Sequence, residues 1–141
     1  MNNEELRTAL KDPTQRGQAA YSIWYSRIWN SGEPNPELVE PLIQALEDNP
    51  GDDFGILMHA LGKLHDPRAF EPIVKHLKSG ISNRRGVAAD VLGELGDKRA
   101  IAPLTKLLKD KAIAWTYEHH NNYPVKVSEV AREALQKLQK K

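Results

Sequence analysis

No cysteine occurs in the 141 residues, which removes disulfides, thiolate nucleophiles and cysteine-ligated zinc from the chemistry open to this chain. Charge of one sign is also lacking. The 20 Lys and Arg nearly balance the 19 Asp and Glu, so there is no global positive field of the kind that draws nucleic acid nonspecifically. A nucleic-acid partner is not expected, and charge must be read locally. No apolar run approaches the ~20 residues of a membrane span. The start, MNNEELRTAL, is polar and acidic, without the basic and apolar regions of a signal peptide. The expectation is a soluble cytoplasmic protein with no membrane contact. Neither a G-x-S-x-G nucleophile elbow nor a phosphate-binding glycine loop is present.

What the chain does contain is repetition. LGKLHDPRAFEPI, from Leu61 to Ile73, returns 31 positions later as LGELGDKRAIAPL, from Leu92 to Leu104. The shift aligns Leu61 with Leu92, Gly62 with Gly93, Leu64 with Leu95, Asp66 with Asp97, Arg68 with Arg99, Pro72 with Pro103 and Leu77 with Leu108. One step earlier, Asn35, Pro41, Leu42 and Leu46 stand at the places of Asp66, Pro72, Ile73 and Leu77. RGQAAYSI, from Arg16, likewise repeats the pattern of RGVAADVL, from Arg85. A period between 20 and 50 residues marks stacked units that cannot bury their apolar faces alone.

Each unit reads as two helices. Val87, Ala88, Val91, Leu92 and Leu95 recur at helical spacing, and Gly96 suits the helix end. Ala88, Ala89 and Gly93 leave room for a neighbouring helix to approach closely. The second helix opens on Asn35-Pro36, Asp66-Pro67 or Asp97-Lys98 as its N-cap. Ala100, Ile101, Leu104, Leu107 and Leu108 form its buried stripe, and the recurring proline at 41, 72 and 103 is expected to bend its first turn. The spacing predicts helices near 3–11, 15–30, 36–47, 53–64, 67–78, 83–95, 98–109 and 127–139, and no β-sheet.

These strings resemble the short HEAT-like repeats first associated with phycobilisome (bilin) lyases, whose hallmark is similar to ALGELGDPRA. The resemblance implies an all-α, right-handed α-α superhelix of the HEAT/armadillo solenoid type, with about four two-helix repeats in a single domain. A half-repeat cap would occupy 1–12 and repeats 13–50, 51–80 and 81–110. An extended connection would span 110–126 and a capping helix 127–141. The resemblance specifies fold and not activity, because such repeats serve scaffolds, adaptors, regulators and some enzymes. HEAT-repeat enzymes that hold two irons use paired His-Glu dipeptides, and none occurs here. HEAT-like DNA glycosylases present a basic track, whereas Arg16, Arg84, Arg85 and Arg99 make no evident stripe. Arg68 and Arg99 share one repeat position, suited to a structural bond with a neighbouring helix end. His65 reads as a helix-end residue and His76 as a half-buried packing residue.

Function is expected where copies differ, since shared positions serve stacking. Tyr21, Trp24, Tyr25, Ile28 and Trp29 share a helix face in the first long insertion. They suit an aromatic wedge closing the core or, alternatively, a binding patch. The second insertion holds Trp115, Tyr117, Glu118, His119, His120 and Tyr123. It reads as a solvated loop partly pinned by Trp115, mobile from Glu118 to Asn122; its histidine tip offers no i, i+4 metal pair. At matched second-helix positions stand Glu40, Glu71 and Ala102; Gln44, Lys75 and Lys106; Glu47, Lys78 and Lys109. In such solenoids the second helices line the concave side, and here their sign passes from acidic to basic.

The expected function is therefore a non-catalytic scaffold or adaptor that binds a protein, with no cofactor and no metal site. The candidate contact residues are Glu40, Gln44, Glu47, Glu71, Lys75, Lys78, Lys106 and Lys109, with Trp115, Tyr117, His119 and His120. The alternative is an enzyme or cofactor handler related to bilin lyases.

Overall fold

The structure, a computed structural model, describes residues 2–29, 35–48, 50–115 and 124–140, with backbone only at 27–29. The chain forms two compact units, Met1–Ala69 and Phe70–Lys141.

In the first unit, α1 (Asn3–Leu10) and α2 (Arg16–Trp29) precede a 3₁₀ turn (Pro36–Leu38) that runs into α3 (Val39–Glu47). A second 3₁₀ turn (Gly51–Asp53) runs into α4 (Phe54–Lys63), and a third (Pro67–Ala69) closes the unit. Asn2 caps α1 by accepting the Glu5 N–H at 2.8 Å, beside the acidic first turn of Glu4 and Glu5. Helix α4 packs on α2 and α3, and Ala19, Ala20, Leu42, Leu57, Met58 and Leu61 are fully enclosed.

The second unit opens on α5 (Phe70–Val74) and a 3₁₀ turn (Lys75–Lys78), followed by α6 (Ser82–Leu95). A further 3₁₀ turn (Lys98–Ala100) leads into α7 (Ile101–Thr105), and the unit ends on α8 (Val127–Gln139). Helix α6 packs chiefly on α8, which also covers α7. An added Cβ on Gly93 would lie 2.9 Å from Ala134 Cα, so the small residue is what permits this approach. Leu61 and Leu92, one period apart, are each 0% exposed, as equivalent positions require.

Three expectations need correction. The second helices are not α-helical throughout: a 3₁₀ turn runs directly into each α-helical stretch, and Pro41, Pro72 and Pro103 fall at the third residue of that stretch. First-turn N–H groups have no intrahelical acceptor, so proline is accommodated there without loss of a ladder bond. The third second helix also stops at Thr105 rather than near 109, and Ile101 and Leu108 are only half-buried. Finally, a β-pair does occur: β1 (Ile113–Ala114) runs antiparallel to β2 (Val125–Lys126). Val127 N–H donates to Ala112 O at 2.9 Å and Ser128 N–H to Asp110 O at 2.8 Å, which ties the connection to the start of α8.

Candidate functional site

The recurring polar positions split into those that hold the repeats and those left on the surface. Asp66 and Asp97 each cap their turn by accepting a backbone N–H, from Arg68 and Arg99, both at 2.9 Å. The same arginines return side-chain bonds to these carboxylates, at 3.0 Å for Arg68 and 2.6 Å for Arg99. The side-chain bond from Arg68, followed by the backbone N–H bond, holds the Asp66 carboxyl below the usual range. The bonds from Arg99 do the same for Asp97. Asn35 departs from this pattern, exchanging side-chain amide bonds with Asn3 at 2.7 and 3.2 Å instead of capping.

Arg68 also donates to Pro36 O at 3.1 Å, at the start of the preceding second helix, as its repeat position implies. Arg99 instead lies over the Phe70 ring, 4.1 Å from its centroid. Arg16 and Arg85 share a further role. Buried Arg16 donates to Asp53 at 3.1 Å and to Asp48 O at 3.0 Å. Arg85 donates to Asp110 at 2.8 Å and to Ser79 O at 2.9 Å. Asp48, Ser79 and Asp110 stand 31 residues apart, so these arginines fasten the ends of second helices. Burial pushes the Asp110 carboxyl up, but the bonds from Arg85 and the Ala112 N–H outweigh it and leave it lowered.

His65 and Gly96, also one period apart, both take left-handed backbone, with φ of 52° and 77°. His65 is thus a helix-end residue. His76 is half-buried, and burial, with Lys75 and Arg84 nearby, lowers its basicity. His59 and Asp90 occupy matched places on α4 and α6, and both are buried. Among the described residues no three His, Asp or Glu side chains come together to hold a metal. An open depression of about 400 Å³ in the first unit is lined by Asn2, Glu4, Glu5, Thr8, Ala9 and Gln15.

Glu40, Gln44, Glu47, Glu71, Lys75, Lys78, Lys106 and Lys109 are all exposed. Within the second unit, Glu71 lies on α5 and Lys75 and Lys78 on the following 3₁₀ turn, while Lys106 and Lys109 lie on turns after α7. Lys78 adjoins Ser79 and Lys109 adjoins Asp110. Because Arg85 bonds both anchors, these two lysines are brought to one end of the unit. Residues 1–69 carry six basic against eleven acidic side chains and residues 70–141 fourteen against eight, nets of −5 and +6.

The aromatic expectations fare differently. Tyr21 and Tyr25 are exposed and stack at 6.0 Å between centroids, and Trp24 is half-buried. The tyrosines therefore stand outside the core and do not close it. Trp115 packs only in part: it is 51% exposed. Further anchoring comes from its backbone N–H, which donates to Asn83 Oδ1 at 2.9 Å, and from enclosed Ala114. Tyr117, His119 and His120, the segment Glu118 to Asn122, and the side chains of Ile28 and Trp29 lie outside the described residues. Ile81 and Ile113 are exposed as well, at positions the 31-residue repeat does not mark. Their signal is two apolar residues at positions the helical stripes do not use.

No helix among the described residues is long and apolar enough to cross a membrane. Comparison with curated proteins gives no match. The family model for HEAT repeats matches residues 39–116. Since the match spans more than half of the sequence, and the repeated elements are helix pairs within an all-α fold, the chain belongs to the HEAT-repeat family.

Proposed function

We propose that this protein is a non-catalytic HEAT-repeat scaffold that binds an acidic protein surface through the second-helix lysines of residues 70–141. HEAT repeats commonly serve protein interaction. The observation that carries the reading is the charge imbalance: fourteen basic against eight acidic residues in the second unit. Lys75, Lys78, Lys106 and Lys109 are all exposed. Charge of this kind acts on encounter rate and partner choice more than on bulk affinity.

The test is to capture partners on the immobilised protein, identify one, and titrate it against the wild type and a variant carrying K75E, K78E, K106E and K109E. The expected result is at least about tenfold weaker binding with a flattened salt dependence and an unchanged melting curve. Equal affinity of the variant would remove the lysines from the interface. A visible absorption band from co-purified pigment would move the reading to the bilin-lyase type.

A further inference from the structure

In an antiparallel pair lying on a protein surface, successive side chains alternate between the core and solvent, and the outward set is normally polar. The connection between α7 and α8 departs from this along β1. Ala114 and Val125 point inward, with relative exposures of 0% and 9%, whereas Ile113 and Trp115 stand outward at 49% and 51%. Ile81, the residue before α6, is 53% exposed. Ser82 donates its hydroxyl to Ile113 O, and Trp115 N–H donates to Asn83 Oδ1. These two bonds hold the start of α6 against the ribbon, so Ile81, Ile113 and Trp115 share one surface.

The rim of that surface is basic. Lys111 alternates outward with Ile113 and Trp115, and Lys126 sits directly across the ladder from Ile113. Both lysines are exposed, and neither is paired with an acid among the described residues. Asp110, the adjacent acid, is engaged by Arg85. We infer that the outward face of this ribbon docks an acidic peptide segment bearing large apolar side chains. The apolar groups would cover Ile81, Ile113 and Trp115, and carboxylates would meet Lys111 and Lys126. Docking is by side chains and not by strand addition, because Ser82 and Asn83 already satisfy the outer edge of β1 at Ile113 O and Trp115 N. The inference stands apart from the second-helix lysines of the preceding section.

The probe is a synthetic blocked peptide of about twelve residues alternating Glu with Leu and Trp, titrated calorimetrically and by amide chemical shifts. Three controls accompany it: the same peptide with Gln for Glu, the same peptide with Ser for the apolar residues, and vesicles of phosphatidylserine and phosphatidylcholine. The acidic apolar peptide should bind, with shifts confined to residues 81–83, 111–115 and 125–126. W115A should weaken it about tenfold or more. A K111E/K126E variant should weaken it and remove its salt dependence, while reversal of Lys75, Lys78, Lys106 and Lys109 should leave these site-specific shifts in place. Circular dichroism melting checks that each variant is folded. Equal binding of the Gln peptide, full binding by W115A, or vesicle binding without peptide binding would each overturn the assignment, the last in favour of an anionic membrane surface.

Discussion

At the scale of single residues, the repeat assigns the same task to side chains 31 apart, and the exceptions give measurable differences. Gly96 fills a left-handed helix end at no steric cost, whereas His65 holds the matching place at φ 52°. Left-handed backbone costs a residue with a Cβ roughly 1–2 kcal/mol, partly offset by the greater chain entropy that glycine loses on folding. His65→Gly should therefore stabilise the protein by up to about 1 kcal/mol in urea unfolding, and Gly96→Ala should destabilise it by a similar amount. His76 supplies a pH test. Burial, with help from Lys75 and Arg84, lowers its basicity below the ordinary 6.5. Between the folded and unfolded values the unfolded chain binds the extra proton, so stability rises with pH across that window and falls as acid is added below 6.5. His76→Gln should flatten the stability profile just below pH 6.5, and a profile as steep as that of the wild type would show that another group is responsible.

At the scale of elements, packing depends on a few close approaches. Gly93→Ala gains helix propensity of about 1 kcal/mol, yet its methyl would meet the α8 backbone at Ala134, 2.9 Å away. The clash should win, with a net loss of about 1–3 kcal/mol by denaturant titration. Leu92→Ala and Leu61→Ala, at fully enclosed equivalent sites, should each cost about 2–5 kcal/mol. The long helices α6 and α8 were legible because their apolar residues recur at helical spacing over three or more turns, and the second-helix starts because Asn35, Asp66 or Asp97 stands before them. The β1–β2 pair was not, since only two residues a side participate and its bonds join positions more than ten residues apart. Exposure at Trp115 was equally hidden. An aromatic residue in a long connection reads as an anchor, whereas part of the anchoring is done by the Asn83 side chain and by Ala114. The lysines were legible as positions, but the ending of α7 at Thr105, which places two of them on turns, was not.

At the scale of the whole molecule, near-neutral net charge conceals its segregation: −5 over residues 1–69 and +6 over residues 70–141, from the counts above. The balanced total argues against a nonspecific polyanion binder, and the basic second unit favours a partner with a local acidic surface. Amide chemical-shift mapping of the captured partner on the isotope-labelled full chain tests this central claim most directly. The account predicts perturbations concentrated at residues 71–78 and 98–109 and diminishing as salt is raised. Perturbations concentrated at residues 3–68, unaffected by salt, would contradict it.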